Sequence, residues 1–563
     1  MKTSRCLFLF AMAIVFISIP ATGQPVRSTH EILPPGILPV VILQGSDYDM
    51  GFQYGQQAAG YIAVNAEAAW ASALETSTRD EVLLALKASQ HYIQEYTPEN
   101  IEILKGMVAG ARSSGYTVTY EDVLLINCAL PDPETSTYPA GAEQSELPPK
   151  KGCSVCSAWG SATKDGRLIG LDTLDGDGES RYGVIIVAFP DKGNAYICGA
   201  DAGEIGDHFL MNNKGFFLGN SGGGPSREID NNYGLGWACS LPHIVRFSDN
   251  AKEARDMIQP WQISNPENFH FVDIHGNAFV VEKTAAVQAV RKSGDFGEKD
   301  FLFSSNNYLH KTMKITKEGG FHKGHGGYGA YSAPRNFVFW DMLHNYRGRI
   351  DEAFMQMILR FPGNPPPWPP ASGWNAKICR PTNSWISVVV PDDGDEGYVH
   401  ICTGPAGRVI QSSTASDGSP MLSNYQYIDG THTFFTLRLK QDPKSVVKEA
   451  KKDAKNSLAA AYKEFMQVTP KDDPSYSTLQ KLYSTANVEY YRGNLAWNKA
   501  RTTSGRESIA WMAKAATGYT RCQARATEVY EALVPPATSP SDLGLKPFGG
   551  DWATWETEVG SPK

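Results

Sequence analysis

Hydrophobic positions along the chain fall into three regimes. From Ile37 to Ala129 the pattern is that of a strand followed by helices, one of them expected over Asp49–Tyr61, where Gly51 and Gly55 permit close packing. Residues 130–151 lack apolar periodicity and carry Pro, Gly, Ser, Thr and Glu, the composition of an exposed loop that tolerates a chain break. From Cys153 to about Gly407 short apolar runs separated by turn residues predict strands: Arg167–Ile169, Tyr182–Phe189, Ala195–Cys198, Gly215–Leu218, Phe269–Asp273 and Ala278–Glu282. Helices are expected within this region at Ala251–Gln259 and Arg335–Asn345, and a final hairpin at Trp385–Pro391 and Gly397–Thr403. Beyond Pro443 the chain becomes rich in Ala and charge. Three helices, Lys444–Gln467, Thr478–Arg501 and Ser508–Leu533, should form an antiparallel bundle.

Strands that dominate the middle, with helices before and after, imply an α+β class with largely antiparallel sheet rather than a doubly wound fold. At 563 residues the chain can bury a large core. Its 42% hydrophobic and 20% charged composition is that of a folded protein. The formal net charge of -8 provides no basic stripe for phosphates, which argues against nucleic acid as a partner.

The first residues change the picture of where the protein works. Lys2 and Arg5 precede an apolar run from Leu7 to Ile19, and Ala21-Thr22-Gly23 has the small residues of a leader cleavage site. The run is shorter than the roughly 20 apolar residues of a bilayer span. Residues 1–23 are therefore expected to be a removed signal peptide, and the mature protein to be secreted or periplasmic without a membrane span. Export permits disulfides, yet Cys128, Cys153, Cys156, Cys198, Cys239, Cys379, Cys402 and Cys522 are scattered too widely for a disulfide scaffold. Cys153 and Cys156 form a CxxC, which suits redox chemistry or a zinc site, although no second CxxC completes the latter. His322 and His325 stand three apart in a Gly-rich stretch with no further ligand type nearby, so no metal or cofactor is expected. The run Pro365–Pro370 reads as a rigid surface connection.

The strongest chemical feature is Gly152-Cys153, a small residue before a nucleophile, followed by Ser154, a short strand and the turn Lys164-Asp165-Gly166. A chain cut before Cys153 would expose an α-amine, titrating near pH 8, that can serve as base for the thiol of the same residue. On spacing alone a buried structural cysteine is the commoner outcome.

The string GCSVCSAWGSATKDGRLIGLDTLD, together with ILQGSDYDMGFQYGQQAAGYI and ENIEILKGMVAGA upstream, resembles the penicillin acyltransferase-like cysteine peptidases, relatives of the choloylglycine hydrolases in the Ntn-hydrolase superfamily. The likeness covers most of residues 37–407. It implies a four-layer αββα sandwich, self-processing at Gly152-Cys153 and Cys153 as nucleophile. It also implies that Asp175 binds the freed α-amine and that Asn220, in MNNKGFFLGNSGGG, holds the oxyanion. Asn306 in SSNNYL takes the place of the family's second active-site Asn, with Asn307 as the one-residue alternative, and Arg335 in YSAPRNFVFW that of an Arg at a helix start.

One departure stands out. Where the resembling family carries an Arg beside the nucleophile, this chain has Asp172, with Thr173 in place of an Asn. An inward Asp172 would oppose thiolate formation and suit a substrate amine or an internal partner such as Arg335; an outward one would face solvent.

The expected organisation is a signal peptide at 1–23, a helical prosegment at 24–152 retained as a small subunit, an Ntn-hydrolase core at 153–430, and a C-terminal helical region at 431–563 that caps the site or mediates assembly into a homo-oligomer. The expected activity is that of an autoproteolytic cysteine amidohydrolase or acyltransferase acting on an amide or ester of a small acylated substrate. The competing expectation is a catalytically inactive exported binding protein that kept the fold.

Overall fold

A computed structural model describes residues 38–128, 152–175, 182–223, 233–315, 328–361, 383–404, 433–468 and 476–546, with Ile378 and Ala406. The leader, the loop at 130–151, His322, His325, Cys379 and the 365–370 proline run lie outside these residues.

Strand β1 (Val40–Gly45) leads into α1 (Asp47–Thr76), whose first turn is capped by the Ser46 hydroxyl accepting from the Asp49 N–H at 3.2 Å. The helix runs far beyond Tyr61, because Ile62, Asn65 and Ala66 continue its buried face into an Ala-rich stretch with few helix breakers. It bends at Ala58, which leaves helical geometry (φ -119°). Capping boxes at Thr78/Glu81 and Thr119/Asp122 start α2 (Arg79–Tyr96) and α4 (Tyr120–Asn127), with α3 (Glu99–Ser113) between them. Gly51 and Gly55 do permit close packing: a Cβ at either would lie 2.0 Å from the carbonyl oxygen of Ile103 or Met107, so α1 and α3 touch backbone to backbone.

The chain then builds β2 (Ser154–Ala158), β3 (Ile169–Asp175), β4 (Gly183–Pro190), β5 (Tyr196–Asp201), β6 (His208–Asn212) and β7 (Phe216–Gly222). After α5 (Trp237–Phe247) and α6 (Ala251–Ile258) come β8 (Glu267–Asp273), β9 (Ala278–Lys283), β10 (Gln288–Lys292) and β11 (Phe301–Ser305). Helices α7 (Tyr328–Asn345) and α8 (Glu352–Arg360) precede β12 (Asn383–Val390), β13 (Tyr398–Thr403) and β14 (Phe435–Arg438). The strands form an eight-stranded sheet, ordered β1-β4-β5-β6-β7-β8-β9-β10, and a six-stranded sheet, ordered β11-β2-β3-β12-β13-β14. Pairing is antiparallel except between β1 and β4, which run parallel. The long excursion through α1–α4, β2 and β3 supplies the crossover that a parallel pair requires.

Alternation along each strand creates the layers. In β4, Ile185, Val187 and Phe189 face the other sheet while Val184, Ile186 and Ala188 join the core packed under α1–α6. In the six-stranded sheet, Val155, Leu302 and Val389 point inward, and Cys156, Leu171, Phe303 and Val388 pack against α7 and α8. The result is helices, sheet, sheet, helices: an αββα sandwich.

The C-terminal helices α9 (Pro443–Phe465), α10 (Tyr476–Ala500) and α11 (Gly505–Leu533) form as the periodicity predicts. They are continuous with the inner core rather than apart from it. Strand β14 pairs with β13, and α11 packs against both β1 and β14, the edge strands of the two sheets. The Val40 N–H on β1 donates to Thr517 Oγ1 on α11 at 2.9 Å, so the helix covers an otherwise open sheet edge.

Candidate active site

Cys153 is buried immediately before β2, and β2 is flanked by β3 and β11. The register places Ser154 opposite Thr173 and Val155 opposite Asp172, and the Ser154 N–H donates to Thr173 Oγ1 at 2.9 Å. Asp172 is buried on the inner face, which removes the solvent-facing alternative. Its partner is not Arg335. Both carboxylate oxygens lie 3.3 Å from His208 Nδ1, and Oδ2 accepts from the Phe209 N–H at 2.7 Å.

His208 reaches this position through a break in strand alternation. Phe209 and Met211 face the inner core and Leu210 the outer one, so regular alternation would send His208 outward. Phe209 instead has φ +43°, in the left-handed region that bulky residues rarely enter, and the β5–β6 pairing shifts register beside it. The side chains of residues 208 and 209 thereby both approach β3, and both rings pack against Trp385. Backbone held in such a conformation needs surrounding contacts to sustain it, which here include Asp172 holding the Phe209 N–H.

The other ring nitrogen of His208 lies 3.4 Å from Asp207 Oδ2, and the imidazole is near enough to the Cys153 thiol for each to act on the other electrostatically. Burial by itself would discourage the imidazolium, but Asp207, Asp172 and the Cys153 contact outweigh it and hold His208 well above its ordinary range. Burial is the main influence raising the Cys153 thiol; His208 opposes it, while Asp175 and Asp172 add to it. Burial also moves Asp207 up to about 6, against the opposing pull of His208. Glu267 on β8 is pushed well above the carboxylate range by burial and by Asp207.

Asn220 on β7 is buried opposite Phe269 and turns its side chain to the Asp207 and Glu267 carboxyls, while its Oδ1 has no hydrogen-bond partner among the described residues. Arg335, from α7, is buried and reaches back to Cys153. Its Nη1 donates to the Cys153 carbonyl oxygen and to Ser154 Oγ at 2.6 Å; its Nη2 donates to Asn306 Oδ1 at 2.8 Å and Ser332 Oγ at 3.0 Å. Asn306 Nδ2 donates to the Gly222 carbonyl at 2.8 Å, which links β11, β7 and α7. Asn307 is also buried, but its Oδ1 accepts from Asn336 Nδ2 at 2.8 Å rather than from Arg335. Gly152, directly before Cys153, is also buried.

The structure thus gathers Cys153, Asp172, Asn220, Asn306 and Arg335 into two linked hydrogen-bonding groups around the head of β2, with Asp175 close enough to act electrostatically on the thiol. Sequence reasoning missed His208, Asp207 and Glu267. His208 lies 36 residues from Asp172, a separation that carries no spacing signal. The available hint was an Asp-His pair directly before the apolar run FLM. Cys156 is free and packs in the core under α7 and α8, so the CxxC does not form a disulfide in this structure. Among the described residues no cluster of three or more His, Cys, Asp or Glu could hold a metal ion, and no helix is long and apolar enough to cross a membrane.

No family model matches the chain. An uncharacterized protein of Archaeoglobus fulgidus is 26% identical over 276 residues, 45% of this chain and 46% of the relative, so the matched region spans about half the length of that curated relative. Solved structures that overlap it include a Caenorhabditis elegans N-acylethanolamine-hydrolyzing acid amidase ortholog, 14% identical over 42% of this chain and 93% of the other, with a TM-score of 0.29. Penicillin V acylase from Agrobacterium tumefaciens overlaps at 10% identity over 45% and 83%, with a TM-score of 0.29. A mutant of the conjugated bile acid hydrolase from Clostridium perfringens does so at 13% identity over 44% and 89%, with a TM-score of 0.27. The layer order and strand register described above, rather than these overlaps, define the fold of this chain.

Proposed function

We propose that this protein is an exported, self-processing cysteine amidohydrolase or acyltransferase of the N-terminal-nucleophile type, acting on the amide or ester bond of a small acylated substrate. The observation that carries the reading is the hold of Arg335 on the Cys153 carbonyl, which ties the candidate nucleophile to Ser154 and Asn306 in a buried, polar end of the sandwich. A structural cysteine in an apolar core has no need of such a setting.

In this reading the Gly152-Cys153 bond is cut and residues 24–152 remain as a small subunit. The Cys153 sulfur then adds to the carbonyl carbon of the substrate while the freed α-amine takes the thiol proton and passes it to the leaving group. Asp175 orients that amine. Asn220 offers its side-chain amide to the oxyanion, where a fixed donor in a water-poor site is most effective. Water as acceptor gives hydrolysis and an amine gives acyl transfer.

The pairing of β1 with β4 and the packing of α1–α4 on the eight-stranded sheet support retention of the cut prosegment. Engagement of Asp172 by His208 leaves that anion with an internal counter-charge, which weakens the motive for an inactive binding protein.

The test is the intact mass and N-terminal sequence of the purified full-length protein beside its Cys153→Ala variant. The expected wild type begins a large subunit at Cys153 and acylates its thiol with an N-acyl amino acid, β-lactam or peptide amide. A wild type that stays uncut, with a thiol inert to all three, would overturn the reading in favour of a binding protein.

A further inference from the structure

Accepting Cys153 as the nucleophile, we propose that His208 is a second catalytic residue, sharing a proton with the Cys153 thiol and driving the self-cleavage step before the α-amine exists. In the continuous chain the Cys153 nitrogen is an amide and cannot act as a base, so the first reaction of this site needs a side chain for its proton transfers. His208 suits them: Asp172, which lies opposite Val155 on the strand beside β2, holds its ring at 3.3 Å near the head of β2, where it acts on the thiol.

Four ionisable groups face its ring: Asp172 from β3, 3.3 Å from Nδ1; Asp207 from its own segment, 3.4 Å from Nε2; the Cys153 thiol; and, acting at longer range, Glu267 from β8. Asp172 is itself held by the Phe209 N–H at 2.7 Å, and the left-handed backbone at Phe209 is what turns the imidazole inward. Asp172, the residue that departs from the resembling family, therefore holds the ring in place and favours the imidazolium formed when it takes the thiol proton, while its own charge still opposes the thiolate. A single proton shared between sulfur and ring is favoured on the ring, where two carboxylates face it.

In the self-cleavage step the thiol proton moves to the neutral form of the His208 ring, giving the imidazolium that Asp172 and Asp207 hold, and the thiolate adds to the Gly152 carbonyl carbon. The Gly152–Cys153 C–N bond breaks as the imidazolium returns its proton to the departing nitrogen, which leaves a thioester and a free α-amine. Water then cleaves the thioester, releasing the Gly152 carboxylate and restoring the thiol.

The experiment follows full-length wild type, His208→Gln and Asp172→Asn by intact mass over time, and measures iodoacetamide labelling of the uncut species against pH in the same spectra. His208→Gln is expected to cut about 100-fold more slowly or worse, in keeping with the roughly 10²–10⁴-fold usual for general acid–base groups. Its thiol should need a higher pH to label. Asp172→Asn, which keeps the ring but weakens its anchor, should fall between the two. His208→Gln that cuts and labels like wild type would overturn the proposal while leaving the N-terminal-nucleophile reading intact. A wild type that never cuts would remove that reading, and the labelling profiles would still decide whether His208 shares the proton. Thermal melts accompany each variant; if His208→Gln fails to fold, Asp172→Asn decides, and wild-type behaviour there overturns the proposal.

Discussion

Arg335 donates through one guanidinium nitrogen to the carbonyl oxygen of Cys153, so a helix of the outer layer holds the backbone of the residue that heads β2. The same side chain serves Ser154, Asn306 and Ser332. A planar fork can meet this divergent set of acceptors, whereas an ammonium on a flexible stem cannot reproduce it.

Arg335→Lys should therefore slow self-cleavage at least tenfold while the protein still folds. Arg335→Ala should also lower stability by about 2–5 kcal/mol, since several buried acceptors lose their donor at roughly 1–3 kcal/mol each, partly offset by relaxation. Urea unfolding and the time course of chain cutting read the two effects separately.

Stability should fall as pH rises through the range of the buried carboxyl Asp207. Burial raises it to about 6 from its ordinary 3.8, so the folded state binds the proton more tightly than the unfolded state. Its contribution is complete below about pH 4 and is lost as pH rises through about 6. His208, also raised on folding, adds the same sign above its ordinary 6.5. Asp207→Asn should flatten the decline between pH 4 and 6, and urea midpoints across that range for both proteins are the measurement. An unchanged slope would show that Asp207 does not carry it.

Gly55→Ala should destabilise the protein by about 2–4 kcal/mol, at or beyond the upper end of usual overpacking costs. The new Cβ would sit 2.0 Å from the Met107 carbonyl oxygen and 2.8 Å from the Ala111 nitrogen, and helix backbone cannot yield as a flexible side chain does. The melting temperature should drop and the prosegment helices become more sensitive to protease. Gly115→Ala, whose Cβ would meet nothing within 4 Å but whose φ is +87°, provides a comparison of backbone strain without a clash.

Cys156→Ala should leave chain cutting and Cys153 labelling close to wild type. Cys156 is buried in apolar surroundings on the far side of β2, and its thiol is pushed well above its ordinary range by burial alone. A modest loss of stability, about 1 kcal/mol for a small cavity, is expected. Labelling that depends strongly on Cys156 would revive a redox role for the pair.

The α+β class, the three C-terminal helices and the close approach at Gly51 and Gly55 were legible in the chain because each depends on local periodicity or on residue size, whereas the αββα layering came only with the family resemblance. Asp49–Tyr61 was too short a helix, and the parallel β1–β4 pair was missed. Helix length there depends on a tertiary surface to pack against, and strand direction on the route of an intervening 130-odd residues.

The sequence, through the resemblance it carries, nominated candidates around the head of β2, a thiol behind a glycine, the Asp, Asn and Arg types in order and the unexpected Asp172, but not His208. Tertiary structure decided what those residues meet. Asp172 faces His208 because the stacking of the two sheets brings β3 against β6 and a left-handed Phe209 turns the ring inward. Arg335 meets Cys153 because α7 lies across the six-stranded sheet. Residue type is written locally, but the field around a buried thiol is the sum of groups from distant segments, and only folding sets their distances and removes the water between them.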